Sequence, residues 1–305
     1  MVAVLLFRLH GTTCGAYPDS HAILSLLYTA GCGDPDLRVS SLLPFVGGKL
    51  YLPVPTSALG SFSRHNGTDN NRRGGENSGV EIPKFLRSHI KKGTAYAPLD
   101  VVCRVHDENF WEEKGSFEAV LIKDFTVPRN ALDRVSSKSN LYFESGWYAE
   151  HTHVQLGEPP GGDCPGRRVN TFAVLLDGDA DLERIETSLV GMPLGGNKTH
   201  GAVIVGVETL DDLQGVRVNR DGGLLVSIAR PSDRPPGHIP VLKEKWVFYN
   251  DGSGVKRRAY PVYCPGSVLL EGEYEAGDVN VGKDVRGYVV KLFVRPLFVP
   301  VSTGE

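Results

Sequence analysis

The chain has 305 residues and sets 33 Lys and Arg against 36 Asp and Glu, a formal charge of −3, which excludes a protein that coats nucleic acid through its overall charge. Hydrophobic residues make up 41% and charged residues 23%, enough to bury a full core, while 36 Gly and 20 Pro point to many turns and strands. Any grip on a polyanion has to be local.

Residues 2–7 are an apolar run, broken by Arg8 and His10. The run is too short for a signal-peptide core or a membrane span, and it predicts a strand over Val2–His10 in a soluble protein with no membrane partner. Asp19 or Ser20 caps a helix over 19–30 that carries Ile23, Leu24, Leu26, Leu27 and Tyr28, and Gly31 and Gly33 end it. Extended pieces follow over 39–46 and 49–53. Segment 57–79 collects Asn, Gly, Ser and Arg with almost no apolar residue and predicts a mobile loop.

A basic segment with Lys84, Arg87, Lys91 and Lys92 precedes an apolar run over 99–105, a polar stretch over 106–116 and a strand over 117–125. This order predicts a long projecting hairpin. Strand candidates follow over 140–148 and 151–156, and the Pro/Gly-rich stretch 157–166 is the best domain boundary. The opening order then returns: a strand over 171–176, a helix over 181–190 with Leu182, Ile185 and Leu189 on one face, a Gly-rich loop, and a strand over 202–207. The remaining segments 224–229, 241–249, 255–263, 267–270 and 288–299 read as strands, with a turn at 251–254.

The repeated strand–helix–strand order predicts an α+β fold of two ferredoxin-like (RRM-like) units with a protruding β-hairpin. The N-terminal unit covers 1–156, with the mobile loop 57–79 and the hairpin at about 99–134. The C-terminal unit covers 167–305, with a Gly-rich loop at 195–201. Cys14, Cys32, Cys103, Cys164 and Cys264 are odd in number, far apart and without a C-x-x-C spacing, so neither a disulfide framework nor a zinc ribbon is expected. The expected compartment is a reducing cytoplasm.

The stretch GMPLGGNKT at 191–199 resembles a phosphate-binding P-loop, but Asn197 separates the last Gly from Lys198. Two readings remain. In one, Gly195, Gly196 and Gly201 let backbone approach a ligand while Lys198 and Thr199 supply a charge and a hydroxyl; in the other, the stretch only connects a helix to a strand. Asp19, Ser20 and His21 contain triad residue types, but neighbours on a helix diverge. His151 and His153 share a strand face, yet third ligands come only from Asp163 or Cys164 across a loop, so ordinary histidines are expected and no metal or cofactor. His10 ends the first strand, and a base there needs a positioned partner. The groups Arg72/Arg73, Arg167/Arg168 and Lys256/Arg257/Arg258 read either as solvated faces or as an RNA track.

Four segments carry a resemblance: FRLHGTTCGAYPDSHAILSLLYTAG at 7–31, ALDRVSSKSNLYFESGWY at 131–148, LGGNKTHGAVIVG at 194–206 and PGSVLLEG at 265–272. In order and spacing the chain resembles the fourth Csm subunit of type III-A CRISPR effector complexes, repeat-associated (RAMP) proteins of antiviral defence. Pro18, Asp19 and Ser20 match the start of the family's helix, Asp133 and Arg134 its middle motif, and Tyr142, Phe143 and Glu144 the motif after it. The family's closing Gly-x-Gly reads Gly201, Ala202, Val203 here. The resemblance implies two ferredoxin-like folds, a thumb hairpin, and a noncatalytic cap on the 5′ repeat-derived handle of crRNA. It also implies two protein partners, the large polymerase-like subunit and the backbone RAMP subunit.

Single-stranded RNA ends are held by stacking on aromatic groups and by pairing phosphates with cations and backbone amides. The candidate RNA-binding residues are therefore His10, Gly11, Lys84, Arg87, Lys123, Arg129, Arg134, Gly195, Gly196, Lys198, Thr199 and Gly201, with Phe110, Trp111, Phe117 and Phe125 for stacking. Arg134 also reads as a structural partner of Asp133. Two other functions compete. One is a repeat-cleaving endoribonuclease of the same superfamily, in which the Gly-rich loop lies near the C-terminus; here about a hundred residues follow Gly201. The other is the equivalent cap subunit of a type III-B complex.

Overall fold

The computed structural model describes residues 2–11, 13, 15–59, 83–105, 115–132, 139–155, 166–194, 202–210, 213 and 216–301. The first elements are β1 (Val2–His10), α1 (Ser20–Thr29), β2 (Arg38–Val39), β3 (Leu43–Val46) and β4 (Lys49–Pro53). Next come α2 (Lys84–Lys91), β5 (Ala95–Pro98), α3 (Leu99–Val102), β6 (Ser116–Leu132) and β7 (Ser139–Gln155). The chain continues with β8 (Arg167–Val169), β9 (Thr171–Asp177), α4 (Leu182–Leu189), β10 (Pro193–Leu194) and β11 (Ala202–Leu210). All these strands join one sheet in the order β10-β11-β1-β9-β3-β4-β5-β6-β7-β8, with β2 also on β9. The fold is α+β and rich in strand.

Val4, Leu5, Leu6, Phe7 and Leu9 of β1 are all buried, as a strand covered on both faces requires. Its neighbours are β9 and β11, both antiparallel to it, so β9, α4 and β11 form a crossover between two parallel strands that flank β1. In the same way β1, α1 and β3 flank β9. The two crossovers interleave. The expected boundary at 157–166 lies almost wholly outside the described residues; across it β1 and β9 pair along their length, from Val2↔Asp177 to Arg8↔Thr171. The repeated strand–helix–strand order comes from two crossovers sharing one sheet.

Beyond residue 216 the described chain is strand and loop: β12 (Gly223–Leu225), β13 (Arg230–Pro231), β14 (Leu242–Asn250), β15 (Val255–Tyr263) and β16 (Val268–Leu269). It ends with β17 (Tyr274–Glu275), β18 (Val279–Lys283), β19 (Val289–Leu292) and β20 (Phe298–Val299). The expected strand over 288–299 is thus two strands, with Phe293 to Leu297 between them. Among the described residues no helix is long and apolar enough to cross a membrane.

The first turn of α1 ties this region to the sheet. Asp19 accepts from the Ala22 N–H at 3.0 Å as a helix cap and also pairs with Lys245 of β14 at 2.5 Å. The buried Ser20 hydroxyl accepts from the Ile228 N–H at 3.1 Å, and His21 Nδ1 accepts from the Phe293 N–H at 3.2 Å. The three residues with triad chemistry are therefore three separate anchors. At the other end of the helix, Arg295 donates to Asp278 at 2.7 and 3.1 Å, to the carbonyls of Asp34 and Leu37 at 2.7 and 3.0 Å, and to the Tyr28 hydroxyl at 3.1 Å.

Arg295→Ala leaves Asp278 without its cation in a nearly buried site and should lower stability to urea by about 3–5 kcal/mol. A second expectation concerns acid. Burial first, then Lys245, lowers the His21 imidazole from 6.5 to about 4. The unfolded chain therefore takes up the proton first, and stability present at neutral pH is lost as pH falls from about 6.5 towards 4. Melting temperatures across that window should fall in the parent and fall less in His21→Gln.

Candidate nucleic-acid interface

The centre of the site is the C-terminal end of β1. His10 is exposed and pairs with Val203, the second residue of β11, while Leu9 pairs with Ile204. On the far side of β11, Leu194 pairs with Ala202, so the two ends of the Gly-rich loop are clamped together by β10 and β11. His10 thus stands beside the base of that loop. Gly11 has φ of 99°, a left-handed conformation that a side chain resists, and it turns the chain sharply off the end of the strand. Residues 195–201 lie outside the described residues, so Gly195, Gly196, Lys198, Thr199 and Gly201 are fixed only through their flanks. Ala202 is fully buried as the first residue of β11.

The segment after Gly11 lies against the hairpin of β6 and β7. Gly15 N–H donates to the Ser145 carbonyl and Trp147 N–H donates to the Thr13 carbonyl, both at 2.9 Å, so 13–15 takes up the edge of β7 just before β8 begins to pair with it. Behind this contact Tyr17 meets Trp147 edge to face at 4.8 Å, and Trp147 meets Phe172 at 5.7 Å. Burial raises the Tyr17 and Tyr96 phenols well above their ordinary value, so both serve as neutral packing groups.

The hairpin itself corrects the sequence expectation. Its arms are 116–132 and 139–155, paired without a break from Ser116↔Gln155 to Leu132↔Ser139, a ladder about 55 Å long. The run expected as its first arm, 99–105, instead contains the short helix α3, started by Pro98 with φ of −57°. A brief apolar run fits a buried helix as well as a strand. The expected tip, 106–116, lies mostly outside the described residues. The inner half of the hairpin is core, with Phe117, Val120, Leu121 and Ile122 buried, so Phe117 does not serve for stacking. Leu141 and Phe143, towards the far end, are 68% and 67% exposed.

Cations gather on the inner half. Lys123 of β6 pairs with Glu150 of β7 at 2.8 Å, and Arg168 of β8 lies over the Tyr148 ring at 5.3 Å. The half-buried Phe125 sits 6.3 Å from the same ring. The C-terminal end of α2 approaches this group: burial, then Lys92 and Lys123, lower the His89 imidazole. On α2, Leu86 and Ile90 are buried, Lys84 is exposed and Arg87 is half-buried. Lys84 and Arg87 therefore belong to a helix packed on β5, and not to the end of β1. Arg129 is described only as backbone of β6, and Arg134, Phe110 and Trp111 lie outside the described residues. His151 bonds the Tyr51 hydroxyl at 3.1 Å, and Cys32, Cys103 and Cys264 are free thiols.

A search of solved structures finds a chain from the crystal structure of the Csm3–Csm4 subcomplex in the type III-A CRISPR-Cas interference complex. The likeness covers 99% of this chain and 100% of that one, with a TM-score of 0.57 at 14% identity. The chain has that fold. A chain from the Csm1–Csm4 cassette in complex with cA4 aligns over 99% of each chain with a TM-score of 0.47 and 15% identity. No protein-family model and no curated protein matches the sequence.

Sequence reasoning missed the contact of 13–15 with Ser145–Trp147 as a determinant of the site, although one signal is present. Gly146 interrupts an otherwise side-chain-rich strand, and a Cβ there would stand 2.7 Å from the Thr13 carbonyl and 2.4 Å from the Phe125 ring. Gly146→Ala should push the 13–15 segment off β7. The expected result is a lower melting temperature together with faster amide exchange at Gly15 and Trp147, while amides in β14 and β15 keep their protection.

Proposed function

We propose that this protein is a noncatalytic RNA-binding subunit of a cytoplasmic type III-A CRISPR-Cas interference complex. In this reading it caps the 5′ repeat-derived handle of crRNA and joins the large polymerase-like subunit to the backbone RAMP subunit. The observation that carries the proposal is the fold match along the whole chain to a structure of the Csm3–Csm4 subcomplex, at a TM-score of 0.57. The interleaved crossovers support a ferredoxin-like unit drawn from both halves of the sequence. The hairpin of β6 and β7 takes the role of the thumb.

The arrangement of groups favours binding over cleavage. General acid–base chemistry needs two positioned groups near one reacting atom, whereas among the described residues the partner of the exposed His10 across the ladder is Val203. A clasp needs less. In this reading backbone amides around Gly11 meet phosphate, while the cations of α2 and β6 belong to another part of the sheet, beyond β9, β3 and β4.

The test uses the full chain with labelled RNA carrying a repeat-derived 5′ handle. Replacing the handle sequence should weaken binding more than replacing the guide. Lys84→Ala combined with Arg87→Ala should cost about 1–3 kcal/mol and reduce the salt dependence. Repeat RNA should remain intact throughout. Site-specific cleavage that His10→Ala abolishes would instead identify a repeat-cleaving endoribonuclease, and equal losses on both swaps would leave only general backbone binding.

A further inference from the structure

A polar cavity of about 300 Å³ lies in the seam between the sheet and the C-terminal region. The loop after α1 and the start of β2 form one side, and the turn at 276–278 with residues 294–295 forms the other. Its charged lining is Arg38, Arg220 and Arg295 with Asp36 and Asp278. None of these residues belongs to the candidate nucleic-acid interface.

The charges in this lining are unevenly matched. Arg295 engages both oxygens of Asp278, so that pair forms a neutral wall. Arg38 stands opposite Asp177 in the ladder of β2 and β9, yet Asp177 accepts from the Arg220 Nε at 2.7 Å. Arg38 is left with one hydrogen bond, from Nη1 to the Pro296 carbonyl at 2.9 Å, and with no carboxylate partner among the described residues. Its Nε and Nη2, and both Nη groups of Arg220, have no acceptor among the described residues. The charged neighbour that acts most on the half-buried Arg38 is itself a cation: burial, then Arg220, lower its guanidinium, and Asp177 opposes them less. Asp36 and Asp221 act on Arg220, but both are exposed, where water screens them.

We propose that this cavity binds a phosphate group carried by a small molecule, held between the guanidinium groups of Arg38 and Arg220. A phosphate monoester at neutral pH carries about 1.5–2 negative charges and three acceptor oxygens arranged tetrahedrally, so it can accept from two guanidinium forks at once. A carboxylate is planar and singly charged, and one fork satisfies it. Asp177 and Pro296 each take a single N–H, which orients the two forks and leaves their remaining donors available. The volume stands at the small end of ligand sites, which suits a phosphate with a short carrier and not a length of polymer. The inference is independent of handle capping, since it uses no residue at the end of β1, on α2 or on the hairpin of β6 and β7.

The probes are inorganic phosphate and ribose 5-phosphate, each titrated into the full chain by calorimetry at low ionic strength. Melting temperatures are followed in parallel, with sodium chloride of equal ionic strength as the control. One saturable site per chain is expected, with a rise in melting temperature beyond that in chloride. Arg38→Ala should weaken binding about tenfold or more. Arg38→Lys should recover only part of the loss, because an ammonium keeps the charge but lacks the fork. Asp36→Asn removes an opposing charge whose side chain makes no hydrogen bond among the described residues, so it should tighten binding severalfold and leave the unliganded melting temperature in place. Tighter binding of ribose 5-phosphate identifies an ester as the ligand, tighter binding of inorganic phosphate identifies the free ion, and either upholds the site. Absence of saturable binding in the parent, a melting rise no larger than in chloride, or unchanged affinity in Arg38→Ala would overturn the inference. If Arg38→Ala does not fold, the Asp36→Asn titration decides, and binding no tighter than in the parent overturns it. Handle RNA measured in parallel keeps the two readings apart: a handle swap without effect in the parent defeats capping and leaves the phosphate result standing.

Discussion

Placement of β1 between β9 and β11 is the constraint on which the candidate site depends. A strand in that position is buried on both faces and hydrogen-bonded on both edges, along β9 as far as Arg8 and along β11 as far as His10. His10 is therefore held beside the root of the Gly-rich loop, and Gly11 has to turn the chain away at once. Thr13 and Gly15 are held against the hairpin by two backbone hydrogen bonds to β7, so the segment after the central strand and the hairpin form one corner of the molecule.

The second constraint lies at the start of α1, where Asp19, Ser20 and His21 each hold a different piece of the C-terminal region. Successive helical residues point in diverging directions, which rules them out as one catalytic centre and suits them to gripping three separate segments. Arg295 does the converse from the far side by reaching the loop after the helix, the helix itself through Tyr28, and Asp278. The strand-only C-terminal region is thus docked on α1 through buried polar contacts as well as through its apolar cores. An acid-sensitive imidazole in that seam couples the docking to pH.

Much of the fold was legible from residue patterns. The bounds of β1, the Asp19 cap and apolar face of α1, and the strand–helix–strand order around α4 all follow from short-range periodicity and capping chemistry. What was not legible is long-range pairing. Nothing in the local sequence of 171–177 says that it lies beside Val2–His10 and not beside strands of its own half, because either neighbour presents the same apolar edge. The hairpin was misplaced for a related reason: Leu99, Val101, Val102 and Val105 satisfy a strand or a buried helical turn equally well. The true arms were hidden because each was read as two shorter strands. For the candidate site, residue types pointed to the end of β1 and to the Gly-rich loop, whereas Lys123 looked free in sequence and is engaged by Glu150 across the ladder.

That engagement bears on the proposed RNA surface of an acidic chain. A cation already paired at 2.8 Å has to give up or share its carboxylate before it can neutralise a phosphate, so Lys123 contributes less to binding than an unpartnered Lys or Arg. Counting basic residues along the sequence therefore overstates the electrostatic part of any RNA surface here. Where ion pairing has consumed the charge, affinity has to come from contacts that acidic neighbours do not weaken, namely backbone amides at glycine turns and aromatic faces. A glycine turn of this kind stands at the corner built on β1, where Gly11 has φ of 99°. Under the proposed function it suits close, geometry-dependent capture of one RNA end.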